Sequence, residues 1–90
     1  MRGRVVHIDR FGNLITDIPA DWIDEGWSIG IGEFWVGSPR SSYSDAVVGE
    51  LVAIIGSAGT VEIAARGAEA AEKTGAARGD PVFGRRTGFV

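Results

Sequence analysis

Ninety residues, 44% apolar and 23% charged, suit one globular domain near the lower end of the size that sustains its own core. The net charge of −3 argues against a nucleic-acid partner, because proteins that grip phosphate backbones are as a rule basic, with arginines clustered on one face. The chain has no cysteine, which excludes disulfides, thiolate nucleophiles and zinc–thiolate centres.

In chain order, RVVHI is short and β-branched and predicts a strand, with Val6 and Ile8 on one face and Val5, His7 and Asp9 on the other. FGN interrupts it, and LITDI resumes as a second strand toward Pro19. PADWIDEG allows one or two helical turns, with Asp21 as a candidate cap. WSIGIGEFWVG alternates isoleucine with glycine and then turns aromatic, which suits a bulged strand. LVAIIGS is apolar on both faces and predicts a central, doubly covered strand. TVEIAAR follows a Ser57-Ala58-Gly59 turn as the second arm of a hairpin, with Val61, Ile63 and Ala65 on one face and Glu62, Ala64 and Arg66 on the other. AEAAEKTG holds strong helix formers over about two turns and ends on glycine. DPVFGRRTGFV supplies a last strand and a tail, in which Arg85 and Arg86, with Arg78 before them, read as solvated.

Glycine accounts for 14 residues, about twice ordinary usage, and so many turns and bulges favour short strands over long helices. The pattern predicts an all-β domain over residues 1–90: a small Greek-key-like β-barrel with one or two short helices. No apolar run approaches the ~20 residues of a membrane span. The N-terminus lacks the apolar core and cleavage site of a signal peptide. A cytoplasmic location and no membrane partner are therefore expected.

The residues offer little for catalysis. His7 is the one histidine, and a hydrolytic triad would need partners for it that the pattern does not place. One histidine and scattered carboxylates do not supply a metal site. GIGEFWVG lacks the third glycine and following helix of a dinucleotide loop. What remains are polar and aromatic groups at strand ends: Asp9, Phe11 and Asn13, then Tyr43, Ser57, Arg66 and Gly67. Strand ends of a small barrel converge on its rim, where ligands are often held. Each also has a plain structural role, Asp9 and Asn13 as turn residues above all.

Together, HIDRFGNLITDI, SYSDAVVGELVAIIGSAGTVEIAARGAEAA and GDPV resemble the C-terminal domain of the S-adenosylmethionine (SAM) hydroxide adenosyltransferases, a superfamily of SAM hydrolases that includes fluorinases and chlorinases. The resemblance runs from about Arg4 to Val82 and implies a β-barrel holding much of the SAM molecule. Asp9 matches the acid that meets the methionine ammonium, and Ser57 the hydroxyl at the methionine carboxylate. Phe11 and Tyr43 match aromatic positions around the adenine, and Asn13 the amide at its edge. Backbone groups near Arg66 and Gly67 match the segment that pairs with the adenine amino group.

Several positions depart from the family pattern. Ala58 stands where halogenases carry arginine, Arg66 replaces an asparagine, and Ala68-Glu69 replaces Gly-Asn. The larger family domain, which holds the ribose and activates water from a neighbouring subunit of a trimer, lies outside these residues. The resemblance thus implies an adenine- and methionine-binding domain of a SAM hydrolase. Its implied partners are SAM or adenosine and the N-terminal domain of a neighbouring subunit, in a homo-oligomer; no metal or other cofactor is implied. This chain by itself is expected to be inactive, whether it is a fragment or free-standing. The rival reading is a free-standing assembly module with a degenerate ligand corner, in which Trp22, Trp27, Phe34 and Trp35 form a partner patch. A filled core is the other expectation for those aromatics, and the favoured one.

Overall fold

The structure, a computed structural model, describes residues 1–42, 44 and 46–86. Among the described residues there are seven strands: β1 (Arg2–Ile8), β2 (Leu14–Pro19), β3 (Trp27–Ile31), β4 (Phe34–Trp35), β5 (Leu51–Ile55), β6 (Thr60–Ala65) and β7 (Pro81–Arg86). One helix, α1 (Ala70–Thr74), and a 3-10 turn at Ala20–Trp22 complete the set. The strands form one antiparallel sheet in the order β4-β3-β7-β1-β2-β6-β5.

The sheet curls because β1 serves two partners in succession. Its first half, Arg2 to Arg4, pairs with β7, and its second half, from Val5, pairs with β2 across a register shift between Val5 and His7. A second shift breaks β2 between Ile15 and Pro19. Such bulges bend a strand and sharpen its twist. The buried Thr16 steadies the second one: its hydroxyl donates to the Val61 carbonyl (2.6 Å) and accepts from the Ile18 amide (3.2 Å). The result is a mostly β half-barrel with one short helix, the fold class that the strand and glycine pattern predicts. Val5, Leu14, Ile29, Ile63 and Val82 lie fully buried in its hollow.

Details differ from the sequence expectation. The β1 bulge breaks strict alternation, so Val5 and Ile8 share the core side while Val6 is exposed. Asp21 caps nothing by its side chain; Pro19 takes the cap position of the 3-10 turn. Strand β5 has both faces covered, Ala53 in the main core and Val52 in a second cluster with Ala46 and Ala64. It is nevertheless the last strand of the sheet, not a central one, and its outer edge is met by Arg40, whose amide donates to the Ala53 carbonyl (2.8 Å). Helix α1 is a five-residue segment rather than two turns, closed by Gly75 at φ +72°.

The aromatics do not fill the core. Trp22, Phe34 and Trp35 are exposed, and only Trp27 packs partway against the hollow. Trp35 lies across Gly30, where a Cβ would come within 2.7 Å of the indole. Arg85 and Arg86 belong to β7 in the middle of the sheet rather than to a tail, and their guanidinium groups sit over Trp35 (3.9 Å) and Trp27 (5.5 Å). Among the described residues no helix is long and apolar enough to cross a membrane.

Candidate functional site

The β1–β2 turn is built around Asp9. Its Oδ1 accepts from the amides of Phe11 (2.9 Å) and Asn13 (3.0 Å), and its Oδ2 from the Asn13 side-chain nitrogen (3.1 Å). The main chain closes the same loop, Gly12 N–H to the Asp9 carbonyl (3.0 Å) and Asp9 N–H to the Asn13 carbonyl (3.1 Å). Gly12 takes φ +79°, a conformation that favours glycine. Asp9 thus has the turn-satisfying role open to any such residue, and it also fixes the Asn13 amide. A carboxylate has about four acceptor sites, so three of them serve the turn. Partial burial pushes the Asp9 carboxyl up, but the hydrogen bonds from Asn13 and Phe11, with His7 nearby, hold it below its ordinary value.

Phe11 projects from this turn, 63% exposed, with the Arg10 guanidinium 4.9 Å from its ring centre. The opposite wall is the end of β6, where Gly67 at φ +68° turns the chain toward α1. The helix is tied to the corner by the Ala71 amide, which donates to the Gly12 carbonyl (2.9 Å). Phe11, Asn13, Ala65, Gly67 and Ala68 line a surface pocket of about 330 Å³. Three sequence-predicted residues, Phe11, Asn13 and Gly67, therefore meet at one place, with Asp9 behind them.

The other predicted residues lie elsewhere or serve differently. The Arg66 main chain is engaged with the segment before β5, its amide donating to Glu50 (3.2 Å) and its carbonyl accepting from Gly49 (2.6 Å). Its guanidinium donates to the Ala46 carbonyl, which makes it an anchor for that loop. Ser57 is exposed in the β5–β6 turn and does not line the pocket. Tyr43 lies outside the described residues.

Glu62 is a residue the sequence reading placed on a face but gave no role. Cross-strand register puts His7, Ile15, Glu62 and Ile54 opposite one another in one row across β1, β2, β6 and β5. The Glu62 carboxylate leans over Gly56, where a Cβ would stand 2.0 Å from its Oε2, so the glycine beside Ser57 makes room for it. Burial and, after it, the charge of Asp9 push the Glu62 carboxyl up. Glu62 thus lies between the Asp9 turn and the Ser57 turn. The alternation of TVEIAAR marks its face, but only the register between strands reveals its neighbours. Among the described residues no group of three or more histidine or acidic side chains converges as metal ligands would.

A curled antiparallel half-barrel with a polar-aromatic pocket at one strand corner defines a small, mostly β domain. The model of the SAM hydroxide adenosyltransferase C-terminal domain matches residues 3–83, and the chain belongs to that family. Two solved structures superpose well. An uncharacterized conserved protein from Thermotoga maritima gives a TM-score of 0.78 at 27% identity, over 93% of this chain and 35% of its own. A conserved hypothetical protein from Thermus thermophilus gives 0.78 at 35% identity, over 90% of this chain and 33% of its own. The chain thus spans about a third of the length of either protein. No curated protein matches it.

Proposed function

We propose that the chain holds the adenine and methionine parts of SAM for an enzyme that transfers the adenosyl group to water, giving adenosine and L-methionine. The observation that carries this reading is the pocket where Phe11, Asn13 and Gly67 come together from two separate turns. Phe11 offers a ring face to the adenine, and Asn13, oriented by Asp9, offers donor and acceptor to its edge. The remaining acceptor site of Asp9 takes the methionine ammonium, a charge-assisted pairing. By the family pattern Ser57, in the β5–β6 turn, serves the methionine carboxylate, and Tyr43, outside the described residues, matches a second aromatic position at the adenine.

The sulfonium is already a good leaving group. The reaction at the ribose C5′ therefore needs a positioned, desolvated water more than acid catalysis. Those groups belong to a larger domain of a neighbouring subunit, which fits the threefold greater length of the solved relatives. The purified 90 residues bind but do not hydrolyse SAM. Equilibrium binding of adenosine to Phe11→Ala and Asn13→Ala tests the corner. Removing Phe11 should weaken binding about ten-fold, since stacking on a base contributes about 1–3 kcal/mol. Unchanged affinity in both variants would refute the reading.

A second reading has its own support. Asp9 and Arg66 spend polar groups on local structure, and Trp22, Phe34 and Trp35 are exposed. That combination suits an assembly module whose ligand corner has degenerated. It predicts no adenosine binding at all.

A further inference from the structure

Arginines and glycines at the other end of β1 form a second concave surface. Two pockets of about 380 and 360 Å³ adjoin there, sharing Arg4, Asp17 and Gly79. Arg2 lines the first and Arg78 the second, so three arginines and one aspartate line the adjoining pockets. The groove forms because β1 and the segment before β7 are sewn together, the Gly79 amide donating to the Val5 carbonyl (2.7 Å) and the Val5 amide to the Asp80 carbonyl (2.9 Å). Gly3 to Asp9 is six strand steps, roughly 20 Å, so this groove is distinct from the adenine corner.

Its charges are unevenly matched. Among the described residues Asp17 is met by Arg4: its Oδ1 accepts the Arg4 amide (2.8 Å), and its Oδ2 lies 4.0 Å from the Arg4 Nε. Neither Arg2 nor Arg78 has a carboxylate partner among the described residues. The other nearby acid, Asp80, turns its Oδ2 to the Ala77 amide within its own loop. The Arg2 guanidinium lies 5.8 Å from the centre of the Phe83 ring, and the Arg4 guanidinium stands beside Asp17. Three arginines against the carboxylates of Asp17 and Asp80 leave the groove with one positive charge in excess, and planar guanidinium groups match the oxygens of a phosphate-type anion.

We propose that this groove binds a small, multiply charged phosphate-class anion through Arg2, Arg4 and Arg78. The probe is inorganic pyrophosphate, titrated into the isotope-labelled chain at constant ionic strength while amide resonances are followed by NMR. The expected result is a saturable shift confined to residues 2–4, 17 and 78–81, with adenosine-corner resonances unmoved. Arg2→Ala and Arg78→Ala should each weaken binding roughly ten-fold, the scale of one charge-assisted hydrogen bond. Asp17→Asn keeps the oxygen that accepts the Arg4 amide but removes the opposing charge, and should tighten binding several-fold. A linear, unsaturated response at millimolar pyrophosphate would overturn the proposal. Equal affinity in wild type and all three variants would overturn it too, as would a shift centred on the Asn13 and Gly67 corner.

Discussion

Asp9 and Glu62 are two carboxylates close enough to feel each other, yet the fold treats them oppositely. The turn donates three hydrogen bonds to Asp9, and its folded pKa is lowered. Its stabilising contribution is therefore present above the unfolded-state pKa and is lost as pH falls through the lower folded value. Asp9→Ala should cost about 1–2 kcal/mol near neutrality by urea denaturation, the scale of bonds to a partly exposed carboxylate, with the difference shrinking in acid. Glu62 carries the reverse sign. Its folded pKa is raised, so its proton is held more tightly in the native state and its ionisation opposes folding as pH rises through that value. Glu62→Gln should raise the urea midpoint at neutral pH and lose the advantage below the carboxylate range. A lower midpoint at neutrality would mean that Glu62 meets a cation the structure does not show.

At the level of elements, the sequence was most readable where alternation ran unbroken. The β5–β6 hairpin follows its side-chain pattern residue for residue, because each strand has one face in the hollow and its turn glycines fix the register. Legibility failed at bulges and edges. A register shift inside β1 cannot be seen in RVVHI, and apolarity on both faces of β5 reflects a second small cluster, not a central position. The aromatic and arginine residues depart from the sequence expectation for a related reason: Trp35 is accommodated by the missing side chain of Gly30 and covered by Arg85, neighbours that only strand pairing brings together. The meeting of Phe11, Asn13 and Gly67 was legible through family motifs in HIDRFGN and GTVEIAARG, whereas the engagement of Asp9 by its own turn required coordinates. One glycine couples these elements. Gly12 sits at φ +79° with an added Cβ only 2.5 Å from the Glu69 Cβ, and its carbonyl receives the Ala71 amide. Gly12→Ala should destabilise the domain by more than about 1 kcal/mol and speed hydrogen exchange at Ala71; protection as in wild type would contradict this coupling.

For the molecule as a whole, the pairing of β2 with β6 places the β1–β2 turn beside the end of β6, and the pocket there is a consequence of that pairing. Residues as far apart as Phe11 and Gly67 share it only because β2 pairs with β6 in antiparallel register. The aromatic strands β3 and β4 stand at the opposite end of the sheet order from β6 and β5, so ligand binding and partner binding would report from separate places. Titration of adenosine into the isotope-labelled 90 residues distinguishes them most directly. Saturable changes are expected at the Asn13, Gly67 and Ala68 amides and in the Phe11 ring, with Trp22, Phe34 and Trp35 silent. No saturable change at that corner, or a response confined to the aromatic strands, would contradict it.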